Sequence, residues 1–94
     1  MLKAMQLVMT CPAYPEQYDA FYAGKQMAYL RVRHGVFSVY FPDLEGEEIY
    51  YTDEINGDGS FEDAERDHFL NIAKQTIMLK LHQHEETRES LDST

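Results

Sequence analysis

Apolar and polar residues alternate along the first half of the chain and recur at helical spacing along the second half. Ala28, Leu30 and Val32 occupy every second position of one segment, which is typical of a strand with one buried face. From Phe61 to about Gln83 the apolar residues recur at helical spacing instead, which predicts one helix of roughly 23 residues. The pattern therefore predicts a strand-rich half followed by a long helix.

Turn-forming residues separate the strand segments. His34-Gly35 has the composition of a two-residue hairpin turn, in which glycine supplies the positive φ that such turns need. Strands joined by short turns pair antiparallel with their neighbours. Strands are expected over residues 2–10, 18–22, 26–33, 36–41 and 47–52.

These elements predict an α+β fold, an antiparallel β-meander of four to five strands with one long C-terminal helix packed on the sheet. Residues 1–84 are expected to form this single domain, and the polar residues 85–94 are expected to be a disordered tail. Leu79 is expected on the apolar side of the helix. The side chains expected in the core are Leu30, Val39, Phe61, Phe69, Ile72 and Ile77.

The stretch between the last strand and the helix, DEINGDGSFEDAE, has the spacing of the calcium loop of an EF-hand. Oxygen-bearing side chains alternate along it, glycine at the sixth position permits a sharp turn, and a glutamate ends it. The stretch would then form half of an EF-hand, preceded by a strand, and in that interpretation Ca²⁺ would be its cofactor. The predicted ligands are Glu54, Asn56, Asp58, the carbonyl of Ser60, and Glu65.

A second interpretation of this stretch needs no metal. Asn-Gly and Asp-Gly are turn dipeptides, and a chain that leaves a strand to begin a helix needs a turn. Ser60 and Asp63 have the spacing of a helix capping box. The acids that follow would sit near the positive end of the helix dipole. Both interpretations are compatible with the sequence.

Charge is concentrated in the middle of the chain. The net charge is −9, and residues 43–67 hold eleven acids against the single base Arg66. Phosphates would be repelled by this segment, so we expect no direct binding to nucleic acid. The segment suits a cation, a basic protein partner, or mimicry of a phosphate backbone.

A smaller patch carries the opposite charge. Met27, Tyr29, Arg31 and Arg33 occupy the polar side of one predicted strand, and His34 follows them. We interpret Tyr29, Arg31 and Arg33 as candidate partner-binding residues that would contact an anion or an acidic partner. An alternative is that these bases pair with the acidic segment of the same chain.

Several classes of function lack support in the sequence. There is no P-loop, no dinucleotide-binding glycine motif, and no Ser/His/Asp or Cys/His arrangement, so we expect no enzyme. Cys11 is the only cysteine, and we interpret it as a structural thiol of a reducing compartment. No apolar run approaches the length needed to span a membrane, so no membrane association is expected.

Two segments, PEQYDAFYAGKQMAYLRVRHGVFSVYFPD and GDGSFEDAERDHFLNIAKQTI, resemble a group of short uncharacterised proteins encoded by phages and integrative elements of low-GC Gram-positive bacteria. The shared features are PEQYD, a G-K-Q turn, YLR-x-RHG, and GDG-x-FED-x-ER before the C-terminal helix. The resemblance covers roughly residues 15–80. It implies a mobile-element origin and a cytoplasmic location in a bacterial host, and it implies no activity.

The functional expectation is a small non-enzymatic accessory protein of a phage or mobile element. It would bind a protein partner through an acidic surface formed by the loop and the helix. One alternative is a calcium-binding module, and another is an acidic DNA mimic or anti-defence protein. A homodimer is compatible with the sequence.

Overall fold

The computed structural model describes the backbone of residues 5–92 and the side chains of residues 5–83. Five strands form one antiparallel sheet in the order β1-β2-β3-β4-β5, and a single helix follows them. The predicted α+β meander is therefore confirmed. The elements are β1 (Gln6–Cys11), β2 (Glu16–Tyr22), β3 (Lys25–Arg33), β4 (Val36–Phe41), β5 (Glu47–Thr52) and α1 (Asp63–Asp92).

Short turns with left-handed backbone fix the order of the strands. His34 and Gly35 have φ values of 54° and 75°, so both central residues of the β3–β4 turn are left-handed. Such turns match the right-handed twist of the flanking strands. Ala23 and Gly24 do the same between β2 and β3, with φ values of 56° and 79°. The predicted hairpin at His34-Gly35 is confirmed.

The strands differ from the sequence prediction in several details, and within the described residues β1 begins at Gln6 rather than earlier. The second strand begins at Glu16 rather than Tyr18, because Glu16 pairs with Val32 and continues the ladder. Met27 packs against the core, although alternation predicted it on the opposite face. The register shifts between Ala20 and Phe21, and this irregularity breaks the alternation beside Met27.

The core lies between one face of the sheet and the helix, which contacts β3 and β5. Alternating residues of the central strands are fully buried, as the sequence predicted. The ring of Phe37 packs edge-on against Phe61 at 4.9 Å between centroids, and this contact connects the sheet to the start of the helix. The buried apolar side chains are Tyr18, Ala20, Ala28, Leu30, Val32, Phe37, Val39, Phe41, Ile55, Phe61, Ala73, Ile77 and Leu81.

The buried face of the helix is narrower than predicted. Ala73, Ile77 and Leu81 are buried at intervals of four residues, which places them in one stripe. Phe69 is only partly buried, and Leu79 is 61% exposed. Ile72, predicted in the core, is also only partly buried. Apolar residues surround more of the helix than the sheet covers, so residues beside the stripe remain partly in solvent.

The ends of the helix also differ from the prediction. The helix begins at Asp63, and the buried Phe61 belongs to the preceding loop. The helical backbone continues past Gln83 to Asp92. The prediction of a disordered tail over residues 85–94 stays a prediction, since it lies outside the described side chains. Within the described residues, no helix is long and apolar enough to cross a membrane.

Candidate functional site

The loop between β5 and α1 is anchored by its backbone to two turns of the sheet. The Gly59 carbonyl accepts hydrogen bonds from the N–H groups of Tyr14 at 3.0 Å and Glu16 at 2.8 Å. The N–H of Gly35 donates to the Asp58 carbonyl at 2.8 Å. The loop therefore lies across the end of the sheet, beside the β1–β2 and β3–β4 turns.

The glycines of this loop allow close approach of the chain to itself. A Cβ at Gly59 would overlap the ring of Tyr14, and a Cβ at Gly57 would overlap the carbonyl of Ser60. Neither has a left-handed φ. In this structure, close packing of the loop explains both glycines without a metal.

Glu65 is buried, and its carboxylate holds the loop to the first turn of the helix. One oxygen accepts the N–H of Asn56 at 2.8 Å, and the other accepts those of Gly57 at 2.9 Å and Glu62 at 3.0 Å. Burial alone would raise the pKa of this carboxyl, but the three backbone donors lower it below its ordinary value. Glu65 therefore stays charged at neutral pH.

The helix cap lies two residues later than the sequence predicted. Since the helix begins at Asp63, Glu62 is the N-cap residue, and Glu65 at the third helical position accepts its N–H. The predicted box of Ser60 and Asp63 is therefore wrong. Sequence spacing misplaced it because the chain packs Phe61 into the core before the helix starts.

A second buried carboxylate, that of Glu16, connects the sheet to the helix. Its oxygens accept hydrogen bonds from the Phe61 N–H at 3.0 Å, from Arg66 Nε at 3.0 Å, and from the Tyr18 hydroxyl. Arg66 also contacts Asp63 at 2.6 Å. Hydrogen bonds to Glu16 and Asp63 raise the pKa of Arg66, while burial and then the bond to Glu16 raise the pKa of Tyr18. Glu16 and Glu65 are called the junction carboxylates below.

The structure places the predicted calcium ligands in different environments. Both oxygens of Glu65 accept backbone N–H groups, whereas the side chains of Glu54, Asn56 and Asp58 are exposed and Ser60 is half-buried. Among the described residues, no three His, Cys, Asp or Glu side chains are grouped so that they could hold a metal ion. The calcium site stays a prediction, and binding would require Glu65 to exchange backbone donors for the ion.

The remaining acids of residues 43–67 are exposed along the β5 edge of the sheet and around the start of the helix. In the part of the chain with described side chains, only two of them form ion pairs, Glu47 with Lys80 and Asp63 with Arg66. We call this set the acidic surface, and we leave out Asp58, which lines a separate cleft. Its members are Asp43, Glu45, Glu47, Glu48, Asp53, Glu54, Glu62, Asp63 and Asp67.

The predicted partner-binding residues lie on the sheet face away from the core. The Tyr29 ring packs against Tyr40 with centroids 6.2 Å apart, and burial raises the pKa of Tyr29. The Arg31 guanidinium lies 5.8 Å from the centre of the Tyr40 ring and donates to its hydroxyl at 3.4 Å. Arg33 is exposed at the end of β3. Neither arginine forms an ion pair with an acid among the described side chains, although Asp58 lies near both.

Arg31 and Arg33 line a cleft of about 490 Å³, whereas Tyr29 does not. We call it the basic cleft, although it also contains Asp58. Sequence reasoning placed His34 beside the arginines but missed the other residues, because Tyr14 and Gly59 meet only through backbone pairing between distant segments. The cleft is lined by Tyr14, Pro15, Gln17, Arg31, Arg33, His34, Asp58 and Gly59.

No protein-family model, curated protein or solved structure matches this chain. The resemblance to proteins of phages and integrative elements therefore stays a prediction.

Proposed function

We propose that this chain is a small non-enzymatic accessory protein of a phage or mobile element that binds a basic protein partner through its acidic surface. The observation that carries the proposal is the concentration of exposed carboxylates in residues 43–67. Among residues with described side chains, only Glu47 and Asp63 of this surface form ion pairs. Neighbouring like charges repel each other, and a basic partner relieves that repulsion.

The anchoring of the loop supports a binding role for its acids. Hydrogen bonds from Tyr14 and Glu16 to Gly59 hold the loop backbone, and Glu65 holds it from the helix side. A surface whose backbone is already ordered loses less conformational entropy when a partner binds. Asp53, Glu54 and Glu62 are thus presented from a fixed backbone.

The charge favours a protein partner over nucleic acid, since phosphates would be repelled. In one form of the proposal, the partner is itself a protein that binds nucleic acid. Its basic site would accept the acidic surface in place of phosphates, which is the DNA-mimic interpretation.

Affinity capture from a lysate of a low-GC Gram-positive host tests the proposal. The bait is the full chain, either unchanged or with Asp53→Asn, Glu54→Gln, Glu62→Gln and Asp67→Asn combined. We expect the unchanged chain to retain a basic protein that the neutralised variant loses. Binding should weaken steeply between about 0.05 and 0.5 M NaCl, as screening shortens the reach of the charges.

A charge-neutral control carries Asn71→Ala, Gln75→Ala and His82→Ala on exposed positions of α1. It should retain the partner as well as the unchanged chain does. Equal capture by the neutralised variant, or capture insensitive to salt, would contradict a role for the acidic surface. If duplex DNA releases the captured partner, the acidic surface binds at the partner's nucleic-acid site.

A further inference from the structure

The basic cleft, like the acidic surface, carries charged side chains that the stability of the fold does not explain. Its arginines have no acid partner among the described side chains, in a chain that carries 17 acids and 8 lysines and arginines. Arg66 and Lys80 form ion pairs, whereas Arg31 and Arg33 form none, even with Asp58 of the same cleft. Arg31 donates to the Tyr40 hydroxyl, but neither arginine of the cleft is neutralised by an ion pair, which indicates a place for an external anion.

The spacing of the two arginines suits a phosphate. Arg31 and Arg33 are two positions apart on one strand, so their side chains leave the same face of β3 about 7 Å apart. Each guanidinium is a planar fork of donors that matches phosphate oxygens. His34 lines the same cleft and adds an imidazole that can donate a hydrogen bond to phosphate. A phosphomonoester carries close to two negative charges at neutral pH, which two arginines can balance.

The rest of the cleft suits an organic group attached to that phosphate. Tyr14 is 80% exposed, although its ring lies over the backbone of Gly59 and is thereby positioned. An exposed ring at the wall of a cleft offers a flat apolar surface for stacking. Gln17 and Asp58 also line the cleft, and their oxygens can accept hydrogen bonds from hydroxyl or amino groups.

We propose that the basic cleft binds a mononucleotide. Arg31 and Arg33 hold the phosphate, the base stacks on Tyr14, and Gln17 and Asp58 accept hydrogen bonds from the sugar or base. The cleft volume of about 490 Å³ lies in the range of small-molecule sites. Asp58 would repel a phosphate placed beside it, so the ligand binds in one orientation, with its phosphate toward the arginines. This site is independent of the acidic surface.

Isothermal titration of the purified full chain tests the site, with the four common 5′-mononucleotides, ribose 5-phosphate, inorganic phosphate and adenosine as probes. At least one mononucleotide should bind about tenfold or more tightly than adenosine, which lacks the phosphate, and than ribose 5-phosphate, which lacks the base. Absence of binding by all four mononucleotides at millimolar concentration would overturn the proposal. Equal affinity for inorganic phosphate and the mononucleotides would also overturn it, since the ring would contribute nothing.

Variants distinguish the cleft from general charge attraction. Arg33→Gln should weaken nucleotide binding by about tenfold or more, because it removes a charge-assisted contact. Lys25→Gln is the matched control, since Lys25 is an exposed cation at the opposite end of the same strand. Tyr14→Asn should bring nucleotide affinity close to that of ribose 5-phosphate, and asparagine tolerates the positive φ of 54° at this position.

Equal effects of Arg33→Gln and Lys25→Gln would overturn the proposal. The variant with a neutralised acidic surface should keep its nucleotide affinity or bind slightly more tightly. Loss of partner capture and loss of nucleotide binding are therefore separate outcomes.

Discussion

The junction carboxylates and the acidic surface contain the same chemical groups in opposite environments. Glu16 is fully buried, and Glu65 is 9% exposed. Both oxygens of each carboxylate accept hydrogen bonds. Those of Glu65 accept three backbone N–H groups, and those of Glu16 accept the Phe61 N–H, the Tyr18 hydroxyl and the Arg66 guanidinium. The carboxylates of the acidic surface lie in solvent, and most have no ion pair within the described side chains.

The difference shows that residue type and local sequence do not decide what an acid does here. Glu54 and Glu65 are both predicted calcium ligands of one loop, yet the fold supplies donors only to Glu65. A buried carboxylate with fully satisfied oxygens stabilises the junction, whereas an exposed one is available to a partner.

The largest effect is expected for Glu16→Ala. This change leaves Arg66, the Phe61 N–H and the Tyr18 hydroxyl without their common acceptor. Because Arg66 is 27% exposed and can still reach water, the change should cost about 3 kcal/mol of unfolding free energy, at the low end of the range for a buried pair. Urea denaturation followed by circular dichroism measures it.

The control for this variant is Glu47→Ala, because Glu47 pairs with Lys80 on the surface. It should cost less than about 1 kcal/mol. A double variant of Glu16→Ala and Arg66→Ala should cost less than the sum of the single changes. Equal costs for Glu16→Ala and Glu47→Ala would contradict the distinction between buried and surface acids.

Glu65→Ala should destabilise the fold by about 1–3 kcal/mol, because it removes the acceptor of the N–H groups of Asn56, Gly57 and Glu62. The same denaturation experiment measures this. Glu54→Ala is the matched control in the same loop and should change stability by about 0.5 kcal/mol or less. If both variants unfold at the same urea concentration, Glu65 does not hold the loop.

Acid should remove the stabilisation by Glu65. Its pKa in the folded state lies below the ordinary value of 4.5, so its contribution is complete above pH 4.5 and is lost as the pH falls through the folded-state pKa. The stability difference between the unchanged chain and Glu65→Gln should therefore shrink as the pH falls below 4.5. Denaturation midpoints at several pH values measure it, and a difference independent of pH would contradict this role.

The smallest effect is expected from calcium. Since Glu65 already accepts three backbone N–H groups, an ion must displace them before it gains this ligand. We expect about 5 mM CaCl₂, above the Kd range of weak sites, to raise the melting temperature little more than MgCl₂ does. A large rise that is specific to calcium and absent in Asp58→Ala would instead support the half-EF-hand.

The sequence alone predicted the order of the elements because strand alternation and turn composition are local properties. Leu30, Val32 and Val39 are buried as alternation indicated, and His34-Gly35 forms the hairpin turn that its composition predicted. The helix itself was also predicted, but its buried stripe was not. The width and twist of the sheet decide which apolar residues of the helix it covers. Leu79, expected on the apolar side, is therefore left exposed.

The candidate sites also combine features that the sequence predicted with contacts that form only in the fold. Composition alone showed that residues 43–67 are acidic, and the strand and turn pattern predicted that Arg31, Arg33 and His34 lie close together. The fold was needed to show that the buried Glu16 pairs with the partly buried Arg66, and that Tyr14 meets Gly59 beside the arginines. The first contact joins residues 50 positions apart and the second joins residues 45 apart, and their partners are chosen by strand register and loop packing. Composition and spacing describe only neighbours along the chain, so such partners become visible only once the chain has folded.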